Sequence, residues 1–217
     1  MAEIDIVLAS YEGAKYIREQ LESISNQDLS CSINLIVTDD LSKDDTFNIV
    51  SEFLENEIKG TFFLRPQEVE NLNFQFGPCA NFSYGLTKSS AEYIMFCDQD
   101  DCWMPNKISD TFNKMQEIEA EFGSDAPVLV FTDLSVVDSN LKIITPSFFN
   151  YQSVDPRWCE KTSQLMIQNV APGCTMMVNR ALLDLALPIP QEAVMHDWWL
   201  ILVASAFGKV SFIDKPT

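Results

Sequence analysis

Tyr93-Ile94-Met95-Phe96-Cys97-Asp98-Gln99-Asp100-Asp101 runs from an apolar stretch straight into three carboxylates. A short apolar run that stops at polar residues reads as a buried strand, here Tyr93 to Cys97. Carboxylates crowded this closely repel one another, and where they are partly buried they need positive charge among them. No Lys or Arg lies nearby until Lys107, so a divalent cation with hard oxygen ligands answers the need. The other reading of the same positions is a set of exposed capping groups before a helix.

On either side of this segment, strand-like and helical stretches alternate. Ile4–Ala9, Ile33–Thr38, Thr61–Leu64, Val128–Leu134, Cys174–Val178 and Val210–Ile213 are apolar and rich in β-branched residues. Ala14, Ile17, Leu21 and Ile24 fall on one face of a helix, as do Phe47, Val50 and Leu54 in a second. Ile108, Phe112, Met115 and Phe122 line another, which Pro105 opens. Pro78–Lys88 and Arg180–Ala186 read as further helices, and one more begins near Asp197. The alternation predicts an α/β fold, a mostly parallel sheet flanked by helices. With no internal repeat and no low-complexity linker, 217 residues read as a single domain.

In such sheets ligands bind beyond the carboxyl ends of the strands. Three predicted strands end in polar clusters: Ser10-Tyr11-Glu12-Gly13, Asp39-Asp40-Leu41-Ser42 and Asp98-Gln99-Asp100-Asp101. Parallel pairing brings those ends to one edge.

Composition narrows the function. Asp and Glu total 32 against 14 Lys and Arg, a formal net charge of -18, and such a field repels nucleic acid. The six cysteines form no Cys-x-x-Cys pair and the single histidine completes no zinc site, so they read as reduced thiols of a cytoplasmic protein. No basic signal region opens the chain, and no run reaches the roughly 20 apolar residues of a membrane span. Neither Gly-x-x-x-x-Gly-Lys-Ser/Thr nor Gly-x-Gly-x-x-Gly occurs, which weighs against nucleotidyltransferase and phosphotransferase chemistry.

Taken in order, the segments resemble family 2 glycosyltransferases of the Rossmann-like GT-A fold. Ile6 to Gly13 is similar to their opening strand and turn, Val37 to Thr46 to their nucleotide-contacting segment, and Cys97 to Trp103 to their Asp-x-Asp region. Asn81-Phe82, Phe131-Thr132-Asp133, Gly173 ahead of an apolar strand and His196-Asp197-Trp198-Trp199 resemble the bacterial rhamnosyltransferase-like subgroup.

The resemblance implies a nucleotide-binding half, 1–101, and an acceptor-binding half, 102–217. It sets Ser10, Tyr11 and Glu12 against the nucleobase or ribose. Asp39 would bond the base edge with Asp40 in support, and Asn81 would contact the nucleotide or cap its helix. Asp98 would face the ribose or metal-bound water and Asp100 would bind Mg or Mn, with the part played by Asp101 left open. Asp197 would take the proton of the acceptor hydroxyl in an inverting transfer, although His196-Asp197 stands where Glu-Asp is commoner. Gly173, His196, Trp198 and Trp199 fall near donor sugar or acceptor, each with a plain structural alternative as turn, helix start or core.

By the same resemblance the donor is dTDP- or UDP-linked, with rhamnose the sugar. The acceptor is a glycan or lipid-linked glycan of bacterial surface polysaccharide synthesis. The family's domain continues past the last residue here, so the chain reads as truncated, with peripheral association at the inner face of the membrane implied for the missing segment. A non-catalytic sugar-nucleotide-binding homologue and a metal-dependent nucleotidyltransferase are the alternatives.

Overall fold

The sheet is built outward from β1 (Glu3–Ser10), whose side chains alternate between two buried faces, Ile4, Ile6 and Leu8 on one and Val7 on the other. The structure, a computed structural model, describes residues 3–28, 32–65 and 77–217. After β1 come α1 (Ile17–Ser25), β2 (Ser32–Asp39), α2 (Thr46–Asn56), β3 (Gly60–Leu64), α3 (Pro78–Leu86), β4 (Tyr93–Asp98) and α4 (Lys107–Phe122). The chain goes on through β5 (Val128–Asp133), the short strands β6 (Val136–Val137) and β7 (Ile143–Thr145), α5 (Phe148–Gln152) and α6 (Thr162–Leu165). It closes with β8 (Met176–Asn179), α7 (Arg180–Ala186), α8 (His196–Phe207) and β9 (Lys209–Pro216).

Seven strands form one sheet in the order β3-β2-β1-β4-β8-β5-β9, and β6 pairs with β7 apart from it. All neighbours in the large sheet are parallel except β8, which runs antiparallel between β4 and β5. The helix-flanked, mostly parallel single domain expected from the alternation is the one observed. Val7, Ile36, Phe82, Phe96, Phe131 and Leu182 belong to the layer under α3, α7 and α8. Leu8, Leu35, Leu21, Val50, Met95 and Met115 belong to the layer under α1, α2 and α4. Each fully buried large side chain contributes about 1.5–3 kcal/mol, and these layers offset the crowding of like charge at the strand ends.

The direction of β8 determines which loops share an edge. Met176 opposes Phe131 and Met177 opposes Met95, so an antiparallel strand begins at the edge where its neighbours end. The turn that enters it, a 3-10 helix at Gly173–Thr175, therefore joins the loops that follow β1, β2 and β4.

Some expectations shift. The strand expected from Cys174 begins at Met176, because Thr175 donates its N–H to Pro172 and closes the turn. Phe47 is 51% and Phe122 46% exposed, although both were expected on buried stripes. The stripe of α2 is Thr46, Val50 and Phe53, which leaves Phe47 about 100° round the helix and edge-on to Phe62 at 5.2 Å. Phe122 closes α4 under the Lys209 ammonium, 4.1 Å from its ring centre. Cys79, Cys97, Cys102, Cys159 and Cys174 are free thiols, and Cys31 lies outside the described residues. Among the described residues no helix is long and apolar enough to cross a membrane.

Candidate active site

Where β1, β2 and β4 end, a cleft of about 690 Å3 opens, lined by Ser10, Tyr11, Asp40, Asn81, Asp98 and Asp100 among others. That volume is in the range of small-molecule sites. Tyr11 is exposed on its wall, held by its backbone alone. Its N–H donates to Gln99 Oε1 at 2.9 Å and its carbonyl accepts from Gln99 Nε2 at 2.9 Å. A Cβ on Gly13 would sit 2.2 Å from that Oε1, so only glycine leaves room for the clamp. Glu12 takes a left-handed backbone, φ 50. It donates its N–H to Ser42 Oγ at 2.8 Å, and its carboxylate accepts from the Lys43 N–H at 2.9 Å. Glu12 thus ties the loop after β1 to the loop after β2.

Asp39 and Asp40 have separate roles. Asp39 is buried and accepts from Ser10 Oγ, the Ser42 N–H and Ser42 Oγ, all at 2.7 Å. It shapes the loop from beneath and is not among the cleft-lining residues. Asp40 lines the wall; it accepts from Arg65 Nε in a buried ion pair and from the Gly77 N–H at 3.0 Å. Asn81 lies inside α3, which Gly77 caps. Its Nδ2 donates to the carbonyls of Ser10 and Thr38, each at 3.0 Å. Both partners are acceptors, so the amide orientation is fixed, and the buried Oδ1 has no hydrogen-bond partner among the described residues.

The carboxylates converge on the far side of the cleft. Ligand atoms of Asp98, Asp101 and Cys174 all lie within 4.8 Å of one another. Burial, then the charges of Asp101, Asp100 and Asp197, push the Asp98 carboxyl up to about 7. Burial also raises Asp101, with Asp100 adding to it and Cys174 and Lys107 pulling it back. Asp100 is exposed, on the rim between the cleft and a second hollow of about 280 Å3 that holds Lys107. The buried Lys107 Nζ donates to Thr217 Oγ1 at 3.1 Å. Among the described residues no Lys or Arg makes an ion pair with Asp98 or Asp101. Two half-buried carboxylates and a thiol, gathered without an ion-pair partner among the described residues, are a donor set that fits a divalent cation.

Asp197 occupies the first turn of α8, after the capping residue Met195. It accepts from the Gly173 N–H at 3.0 Å and the Trp198 N–H at 2.6 Å. Burial raises its pKa and those two bonds hold it back, so it is more basic than its place at a helix start implies. Its charge also acts on Asp98 and raises that carboxyl. Trp198 and Trp199 anchor their indole N–H groups on the carbonyls of Leu165 at 2.6 Å and Ala186 at 2.8 Å. Both nevertheless border an apolar hollow of about 350 Å3 with Met166 and Val194.

His196 is buried and stacked on Phe82 at 4.2 Å, and among the described residues neither ring nitrogen has a hydrogen-bond partner. Burial pushes its pKa down to about 3, so the native imidazole is neutral. The unfolded chain binds the extra proton below about 6.5. The contribution of the neutral ring is therefore complete above that pH and lost as pH falls toward 3. Relative to His196→Phe, the wild type should lose up to about 1.4 kcal/mol per pH unit across that window, measured by urea unfolding. Parallel pH profiles would show that His196 is not the titrating group.

Asp98 and Asp100 thus line the cleft with Tyr11, Asp40 and Asn81, and Asp101 borders the second hollow. Asp197 is bonded to Gly173 and near enough for its charge to act on Asp98, while Asp39 is not part of the cleft lining. Gln99, Ser42 and Arg65 hold the rim together and Cys174 joins the acidic group, none of them singled out from the sequence. Gln99 sits within an acidic cluster and Cys174 next to Gly173, so both had a neighbour to mark them. Arg65 carried no signal.

The model of Glycosyl transferase family 2 matches residues 5–175. A Shigella flexneri protein named dTDP-rhamnosyl transferase RfbG is 29% identical, over 97% of this chain and 69% of its own length. A Campylobacter jejuni protein named GalNAc(5)-diNAcBac-PP-undecaprenol beta-1,3-glucosyltransferase is 28% identical, over 54% of this chain and 36% of its own. Among solved structures, S. aureus TarS 1-349 with UDP-GlcNAc superposes with a TM-score of 0.70 at 20% identity, covering 99% of this chain and 57% of that one. Mannosyltransferase PcManGT of Pyrobaculum calidifontis, with GDP-Man and Mn2+, gives 0.69 at 16% identity, covering 98% and 54%. The chain spans little more than half of these two solved chains.

Proposed function

The chain belongs to glycosyl transferase family 2, and on that basis we propose that it transfers rhamnose from a dTDP-linked donor to a glycan hydroxyl, with inversion, in bacterial surface polysaccharide synthesis. The observation that carries this reading is the gathering of Asp98, Asp100, Asp101 and Asp197 into one interacting group beside the cleft. The name of the Shigella relative supports the rhamnosyl donor, and that of the Campylobacter relative supports a lipid-carried acceptor. The UDP-GlcNAc bound to TarS favours a second reading, a UDP-linked donor.

Tyr11 offers its exposed ring to the base. Asn81 Oδ1, a buried acceptor without a partner among the described residues, takes the N–H of a pyrimidine or a ribose hydroxyl, the part first expected of Asp39. Asp98 and Asp101, with Asp100 at the rim, would hold Mn or Mg. When bound, the cation stabilises the negative charge that grows on the departing diphosphate. Asp197 accepts the proton of the acceptor hydroxyl as the new bond forms, and attack from the side opposite the leaving group inverts the anomeric carbon. The Gly173 N–H keeps that carboxylate aimed, and burial keeps it basic.

Calorimetry with dTDP and UDP, each with and without Mn2+, tests the reading; heat that depends on both nucleotide and cation is expected, and its absence with every pair would overturn it. A radiolabelled dTDP-rhamnose assay, run beside UDP-sugars, then ranks the donors. Gln99→Ala removes both bonds that hold Tyr11. At about 1 kcal/mol net for each, nucleotide binding should weaken by up to about 30-fold, and the melting temperature should fall by several degrees at most.

A further inference from the structure

The proposed cation site contains a donor that the acidic motif does not supply. Cys174 Sγ lies within 4.8 Å of carboxylate oxygens of both Asp98 and Asp101, and the thiol is buried. The sulfur has little freedom to be elsewhere. Gly173 is pinned to Asp197 through its N–H at 3.0 Å, and Thr175 Oγ1 donates to the Pro172 carbonyl at 2.7 Å. A Cβ at Gly173 would lie 2.9 Å from His196 Nε2 and 3.4 Å from Asp197 Cβ, so the turn is packed tightly against α8. The antiparallel course of β8 is what brings this turn to the ends of its neighbours.

Resting on the cation-assisted reading above, we infer that Cys174 is a third protein ligand of the divalent cation, joining Asp98 and Asp101. On binding, the S–H bond breaks, a sulfur–metal bond forms and the proton leaves to solvent. A thiolate among carboxylates turns the site from hard toward borderline cations, so it favours Mn2+, Co2+ and Cd2+ over Mg2+, which prefers oxygen alone.

Cobalt titration of the full chain tests this without measuring turnover. Wild type should develop a near-ultraviolet thiolate-to-cobalt charge-transfer band in step with cobalt uptake, and Cys174→Ser and Cys174→Ala should lack it. Cys174→Ser should also weaken Cd2+ binding by about tenfold or more, a scale that even an outer partner of a metal ligand commands, and leave Mg2+ nearly unaffected. Cadmium nuclear magnetic resonance of the unmodified protein, where a sulfur ligand moves the signal far downfield of an all-oxygen site, reads the same ligand should the variants fail to fold. Cobalt bound with an oxygen-only spectrum, or a band that survives in Cys174→Ala, would overturn the Cys174 assignment and leave sugar transfer standing. No cobalt uptake at all would sink both this assignment and the cation-assisted reading.

Discussion

Asp197→Asn is expected to cut turnover by about 10^2- to 10^4-fold, the range for losing a general base, while nucleotide binding persists. The substitution keeps the shape but not the pattern of hydrogen bonding. Asp197 accepts from two backbone N–H groups, and an amide facing both must turn its own NH2 toward one of them. Some stability is lost as a result, about 1–3 kcal/mol for a buried donor left unmatched. Turnover therefore has to be compared at a temperature where the melting curves show both proteins folded. A residue that merely tied α8 to Gly173 would show the melting shift with kcat near normal, and that outcome removes Asp197 from the chemistry.

Asp98→Asn should move two observables in opposite directions. Its carboxylate is disfavoured by burial and by Asp101, Asp100 and Asp197, so the neutral amide should raise the melting temperature of the cation-free protein. The same change removes a cation ligand, so the stabilisation that Mn2+ gives the wild type should disappear. Turnover should fall on the order of 10^3-fold, the equivalent of several kcal/mol of leaving-group stabilisation. Melting curves with and without Mn2+ settle the matter before any donor is chosen. A variant that is destabilised yet still stabilised by Mn2+ contradicts the assignment.

The sheet was legible because its signals are local. β1, β2 and β4 are apolar runs whose ends carry Ser10, Asp39 and Asp98, and alternate side chains show that both faces are covered. The acidic group was legible for the same reason, since Asp98 to Asp101 are adjacent in sequence. What escaped depends on contacts between distant residues. The Gln99 clamp on Tyr11 joins positions 88 apart, and no periodicity announces it. Asp39 and Asp40 are neighbours of identical chemistry, and only the fold separates the one beneath Ser42 from the one on the cleft wall. Arg65, a single cation at the end of a short strand, shows its purpose only once Asp40 is beside it. The direction of β8 was equally hidden, because an apolar run reads the same both ways.

That reversed strand also decides how the rim can vary over evolutionary time. The wall of Tyr11, Asp40 and Asp98 grows from segments that leave strands, whereas Cys174 and the backbone support of Asp197 come from one that arrives at a strand. Insertions upstream of Pro172 can therefore remodel the entrance as an exchangeable cassette, without breaking the ladders that end at Ser10, Asp39 and Asp98. A change of loop length there would reshape the mouth of the cleft while the paired strands stay in register.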